Sequence, residues 1–185
     1  MVGSTEVVHR PGWRGWLGRH LMLIVLTGTS VAADVVSKRL AATRLADHST
    51  TLLESPRVAV RLALAHNPAG AWSMFGWAPG IPRRVLFISV SVIASVLLAI
   101  WYARTPLQQR LLRFGIAFVL GGAMGNLVDR VLTGNVIDFA EVSASWGGTR
   151  HFWPTFNVAD VAICVGVGLM AIDMMRPRRG VRSGE

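Results

Sequence analysis

Ten residues of this chain are acidic, and four of them, Asp34, Asp129, Asp138 and Asp160, stand inside or beside long apolar runs. The stretch PTFNVADVAICVGVGLMAIDMM (154–175) shows the difficulty this creates. Its uncharged part, Val161 to Ile172, is 12 residues long. A bilayer crossing needs about 20 apolar residues, and reaching that length takes in Asp160. An ionisable group in a span costs roughly 2.5–3.5 kcal/mol at the helix centre and less near the ends, so its presence asks for a role. Asp138 lies in NVIDFAEV, flanked by Val136, Ile137, Phe139 and Ala140, with no basic residue close by. Two carboxylates within a few ångströms cannot both ionise cheaply and tend to share one proton. The ionised member can take a proton from water while the protonated member polarises a carbonyl oxygen. That is peptide hydrolysis without a covalent nucleophile or a metal. The acid and base labels belong to the pair.

The other acids have local explanations. Asp34 and Lys38 are spaced i,i+4, so an ion pair on one helix face accounts for both. Asn157 reads as an N-cap with Asp160 at N3, where a helix N-terminus favours negative charge. Asp129 precedes Arg130, which predicts a structural pairing between neighbours. Asp173 has Arg176 at i+3 and reads as a solvated or paired surface acid. From Asp129 to Asp138 is nine residues, about 900° of continuous helix, which would put the two on opposite faces. The TGN turn at Thr133 to Asn135 should end that helix first. The chain then returns to the same membrane face at Asp160, so Asp138 and Asp160 can meet.

The elements that position these acids follow from composition. The chain has 185 residues, 52% of them hydrophobic and 16% charged, with mean hydropathy +0.46. A soluble domain carries about 25% charge, so an integral membrane protein is indicated. The net charge of +9 comes from 18 arginines and one lysine, Lys38. Attraction to anionic phospholipid headgroups explains it better than nucleic acid, because no basic, aromatic-rich fold motif accompanies it. The single cysteine, Cys164, allows no intrachain disulfide and reads as a small packing residue.

Four spans are expected, at about 17–38, 85–103, 107–128 and 156–175 of a domain covering 17–176. Outer segments at about 39–84 and 130–155 separate them, and the tails 1–16 and 177–185 are expected to be cytoplasmic. The 10 basic residues of the inner segments barely outnumber the 9 of the outer ones, and it is their density beside the helix ends that favours both termini inside. Trp13, Trp16, Trp101, Tyr102, Trp146 and Trp153 read as interfacial anchors. Arg110 and Arg113 read as snorkelling residues at the start of the third span. A basic start, a short apolar run and SVAA before Asp34 also fit a cleavable leader. In the first outer segment, RVAVRLALAHN (57–67) alternates as a strand would. NPAG (67–70) then marks a turn, and AWSMFGWAPGIP (71–82) suggests an interfacial segment.

At these residues the sequence resembles the lipoprotein signal peptidase (signal peptidase II) family. The motifs occur in order: DVVSK (34–38), NPAGAW (67–72), GNLVDRVLTGNVIDF (125–139) and FNVAD (156–160). The resemblance implies an all-α integral membrane fold of four transmembrane helices, with a small extracytoplasmic β-sheet and a short interfacial helix. It also implies that Asp138 and Asp160 form a catalytic dyad. Asp34, Lys38, Asn67, Asn126, Asp129, Arg130 and Asn157 match positions that hold the site and substrate. The implied enzyme is a monomeric aspartic endopeptidase of the bacterial inner membrane, with its site near the outer face. It needs no cofactor or metal, and it cuts diacylglyceryl-modified prolipoproteins. Where the family has N-x-G-A-A-F, this chain has Asn67-Pro68-Ala69-Gly70-Ala71-Trp72, with the glycine displaced by one position. The resemblance also places Asp34 to Lys38 within a first helix, which argues against a cleavable leader.

Other classes fit less well. A proton or cation relay of a transporter would thread acids across the membrane, whereas these gather at one face. A Ser/Lys hydrolase would need Lys38, whose neighbour Ser37 is adjacent rather than one helical turn away. His9, His20, His48, His66 and His151 have no metalloprotease spacing.

Overall fold

The structure, a computed structural model, describes residues 13–67 and 83–176. Apolar runs long enough to cross a membrane become helices: α1 (Trp13–Arg44), α2 (Arg83–Arg104), α3 (Arg110–Leu132) and α4 (Val158–Met175). Between α1 and α2 lie β1 (Thr50–Glu54) and β2 (Val58–Asn67); between α3 and α4 lie β3 (Val136–Trp146) and β4 (Thr149–Phe152). These strands form one antiparallel sheet in the order β1-β2-β3-β4. The expected four spans and small sheet are both present, although a four-stranded sheet makes the chain mainly helical rather than all-α. Helix α1 runs on to Arg44, beyond the expected span end at 38, and SVAA lies within it. The segment expected to be interfacial, 71–82, and the turn after Asn67 lie outside the described residues.

Helix α3 is the hub of the bundle, packing against α1, α2 and α4. Glycine makes these crossings close enough to carry polar contacts, because a missing side chain lets backbones approach. A Cβ added at Gly122 would sit 2.3 Å from the carbonyl oxygen of Ala159 in α4, and one at Gly125 would sit 2.6 Å from Asp34 Oδ2 in α1. Both sites lie on the side of α3 that holds the acids.

At its other end α3 differs from expectation. Arg113 does not snorkel; it is 3% exposed. Its Nη2 donates to Tyr102 Oη at 2.7 Å and its Nη1 to the Thr105 carbonyl at 3.1 Å, with Cζ 4.0 Å from the Tyr102 ring centroid. The Thr105 carbonyl lies just past the end of α2, where helix carbonyls lose their intrahelical donors, and the guanidinium supplies one. Tyr102 is therefore fully buried beside Leu112 and Ile116 and is no lipid-facing anchor. Trp101, Trp146 and Trp153 are exposed, as anchors should be.

The turn at Thr133 to Asn135 ends α3, with Thr133 as C-cap and Gly134 at φ +82°. The chain then leaves as β3. The β2–β3 register pairs Leu62 with Ala140 but Ala65 with Asp138, so β2 carries one extra residue there. After β4 the chain crosses β3 again, where the Phe156 carbonyl accepts from Phe139 and Ala140 and the Phe156 N–H donates to the Ala140 carbonyl. This crossing delivers the start of α4 next to Asp138.

The Gly122 contact is with backbone, which cannot swing aside. Gly122→Val should lower the thermal unfolding midpoint in detergent by the equivalent of about 1–3 kcal/mol. Gly28→Ala, where a Cβ meets nothing within 4 Å, should leave the midpoint unchanged or raise it slightly.

Candidate active site

Lys38 begins the site. It lies in α1, one turn after Asp34, and is 1% exposed. An ammonium has three hydrogens, and the Nζ has three oxygens close by: Asp34 Oδ2 at 2.7 Å, Asp129 Oδ2 at 2.8 Å and Asn126 Oδ1 at 2.9 Å. The i,i+4 pair expected from the sequence is therefore made, and it extends to α3. Asp129 does not pair with its neighbour Arg130 as expected, because successive helical residues point about 100° apart and Lys38 lies on its side. Asp129 Oδ2 also accepts from the Ile137 N–H at 3.1 Å. Asp34 Oδ1 accepts from the Ala159 N–H at 2.9 Å. One buried cation thus orders two carboxylates, and each of these holds a backbone N–H beside Asp138 or Asp160.

The N-terminus of α4 is a capping box, as the N-x-x-D spacing predicts. Asn157 Oδ1 accepts from the Asp160 N–H at 3.0 Å, and Asp160 Oδ2 accepts from the Asn157 N–H at 3.2 Å. Asp160 Oδ1 accepts from Asn126 Nδ2 at 2.9 Å. Asn157 Nδ2 donates to Asp138 Oδ1 at 2.7 Å, with Asn126 Oδ1 at 3.2 Å and the Ile137 carbonyl at 3.3 Å also within reach. Asn67, at the end of β2, donates through Nδ2 to Asp138 Oδ2 at 3.1 Å. Arg130 Nη1 donates to the Asn126 carbonyl at 3.3 Å. All nine residues singled out from the sequence, Asp34, Lys38, Asn67, Asn126, Asp129, Arg130, Asp138, Asn157 and Asp160, thus join one connected cluster.

The two carboxylates differ in surroundings. Asp138 is 2% exposed, and burial pushes its carboxyl above the ordinary value. The Asn67 amide opposes that shift, the Asp160 charge adds to it, and the Asn157 amide opposes it again. Asp160 is only half-buried. The cluster holds four carboxylates against Lys38 and Arg130, so a proton shared between Asp138 and Asp160 relieves surplus negative charge.

Both carboxylates face a cavity of about 970 Å³. Its lining combines polar side chains, Asn67, Asn126, Arg130, Asp138 and Asp160, with apolar ones, Val136, Phe152, Trp153, Phe156 and Ile163, and with Cys164. Such a space can take an extended chain with a large apolar substituent and set a peptide carbonyl against a proton-sharing pair. Cys164 is exposed and lines this cavity, one turn after Asp160, instead of packing inside. Its i+4 spacing from Asp160 is the signal in the sequence that could have placed it there. Phe87 of α2, whose ring centroid lies 5.4 Å from Arg130 Cζ, had no such signal, since its partner is distant in sequence.

Lys38→Met should leave Asp34 and Asp129 buried without their cation and cost about 3–5 kcal/mol of stability. The double variant Asp34→Asn/Lys38→Met should recover part of that loss, because it removes one of the stranded charges. Equilibrium unfolding in mixed detergent micelles measures both.

A family model described as signal peptidase (SPase) II matches residues 26–176. The lipoprotein signal peptidase of Teredinibacter turnerae is 36% identical over 170 residues, covering 92% of this chain and 92% of the relative. That of Geobacter metallireducens is 47% identical over 97 residues, 52% of this chain and 57% of the relative. A bacterial membrane enzyme solved by the in meso method shares the fold, with TM-score 0.66 and 25% identity over 84% of this chain and 94% of that one. The matched region takes in all nine residues of the cluster, and on that footing the chain belongs to the signal peptidase II family.

Proposed function

We propose that this protein is an aspartic endopeptidase that removes the signal peptide from diacylglyceryl-modified bacterial prolipoproteins, with Asp138 and Asp160 activating water. The observation that carries this reading is the pair of carboxylates, each held by an asparagine-rich frame, on a cavity lined by both polar and apolar side chains. In the proposed reaction, water attacks the scissile carbonyl carbon and passes a proton to the ionised carboxylate. The protonated partner gives its proton to the carbonyl oxygen, and a gem-diol forms. As the C–N bond breaks, the first carboxyl protonates the leaving nitrogen and the gem-diol returns a proton to the second. The products are a signal peptide with a new carboxyl terminus and a lipid-modified cysteine with a free amine, and the pair again holds one proton.

The supporting residues have distinct parts. Asn67 and Asn157 orient Asp138, and Asn126 and Asn157 orient Asp160. Asp34, Lys38 and Asp129 fix the backbone around both. Arg130 lines the cavity beside the pair and brings positive charge toward the oxygen of the reacting carbonyl. The apolar side chains of the lining suit the acyl chains of the substrate, and the exposed flanks of the helices suit membrane phospholipid. We read both termini as cytoplasmic, the site as lying near the outer face of the inner membrane, and the enzyme as a monomer without a cofactor.

Two rivals meet specific obstacles. A Ser/Lys mechanism needs a free amine near a free hydroxyl, but Lys38 Nζ is engaged by three oxygens and Ser37 Oγ donates to the Asp34 carbonyl at 2.9 Å. A cation relay needs polar steps along the spans, whereas the acid cluster sits where α1, α3 and α4 meet the sheet.

Asp138→Asn and Asp160→Asn should each lower cleavage of a lipidated precursor by about 10³-fold or more while the protein remains folded. Substantial turnover by either variant would sink the dyad. The wild-type rate should follow a bell in pH. Its acid limb marks loss of the ionised carboxylate. Its alkaline limb, marking loss of the shared proton, should lie above the ordinary carboxylate range because the Asp138 carboxyl is raised. The unlipidated precursor should not be cut.

A further inference from the structure

Phe87 lies near the start of α2, a helix that packs mainly on α3. The outer end of α2 is fixed to that of α3: Arg84 Nη2 donates to the Val131 carbonyl, and the Arg84 side chain passes over Gly134. One turn along α2, the Phe87 ring faces the Arg130 guanidinium, with Cζ 5.4 Å from its centroid. That distance is within cation–π range.

Arg130 is held unusually for a cation among acids. The charges of Asp160, Asp129 and Asp138 all act on it. Yet among the described residues its only hydrogen bond is the one from Nη1 to the Asn126 carbonyl, and it closes no ion pair. A guanidinium has five N–H donors, so most of them are left toward the cavity that it lines. A long side chain with one 3.3 Å bond to its own helix has rotamer freedom. Nothing in that bond stops it from swinging onto a carboxylate.

We infer that Phe87 is a positioning residue: its ring holds the Arg130 guanidinium beside the Asp138–Asp160 pair without letting it collapse into an ion pair, and so keeps its N–H groups aimed at the reacting carbonyl. This rests on the aspartic reading of the site. The charged groups around Arg130 are Asp129 on its own helix, Asp138 on β3, Asp160 on α4, Lys38 of α1 behind Asp129, and Arg84 of α2. Among the described residues, Phe87 offers the guanidinium a π-face without charge. A cation held near the pair favours its ionised state. Releasing that cation lets the pair keep its second proton to higher pH, so the acid limb of the rate profile moves up.

The test uses the full-length enzyme in detergent with a lipidated precursor, and rates are expressed per folded protein from parallel thermal unfolding. Phe87→Leu, with Phe87→Met as a second non-aromatic variant, should lower kcat by about five- to thirty-fold, leave KM nearly unchanged and move the acid limb upward. Phe87→Tyr and Phe87→Trp should restore both. In an Arg130→Ala background, Phe87→Leu should cost little more, since its effect passes through Arg130. An unchanged kcat and pH profile in Phe87→Leu, equal losses in the aromatic and aliphatic variants, or additive losses in the Arg130→Ala background would each overturn the inference. Asp138→Asn, run alongside, separates the two failures. If it is active, the aspartic reading falls; if it is inactive while Phe87→Leu is unaffected, only the positioning role falls.

Discussion

The layout of this protein depends on one buried ammonium group. A charge taken out of water must be matched closely or it destabilises the fold, and Lys38 is matched by Asp34 beside it and by Asp129 and Asn126 across the helix interface. Each of those partners has a second contact further out. Asp34 reaches the backbone of α4, Asp129 reaches the backbone of β3, and Asn126 reaches Asp160. The ammonium therefore fixes three helices and a strand relative to one another, and the Asp138–Asp160 pair sits at the far side of those contacts. Placing two carboxylates with such accuracy from loops alone would be difficult.

That arrangement requires helices closer together than ordinary side chains permit. Gly125 leaves room for the Asp34 carboxylate, and Gly122 leaves room for the first turn of α4. Polar residues between helices and glycine at the crossings are thus two parts of one solution. The glycines bring the hydrogen-bonding groups within reach of one another, and the hydrogen bonds satisfy groups that lipid would leave unpaired.

What could be read from the sequence was what acts over one or two helical turns. Apolar length placed the four helices, i,i+4 spacing paired Asp34 with Lys38, and N-x-x-D spacing gave the capping box of α4. Alternation gave β2. It did not give β3, where VIDFAEVSASW has no clean alternation, or β4, which is only four residues long. Contacts between distant segments were also hidden. Arg113 and Tyr102 looked like interface residues because hydropathy does not say which side of a helix faces its neighbours. Adjacency suggested Asp129 with Arg130, but geometry gave Asp129 to Lys38. Cys164 seemed a packing residue until the cavity wall was visible. The family resemblance put Asn67 among the residues that hold the site, but its hydrogen bond to Asp138 follows from no local rule.

The extra residue in β2 between Leu62 and Ala65 has a further consequence. Side chains along a strand alternate faces, so one inserted residue reverses the sense of everything after it. Because of that reversal Asn67, and not His66, faces Asp138. A ladder of the same residues without the bulge would set Leu64 opposite Asp138, bring His66 to that face and turn the Asn67 amide away from the carboxylate. The site is encoded in strand register as well as in residue type, because a single bulged residue decides which of two neighbouring side chains meets the carboxylate.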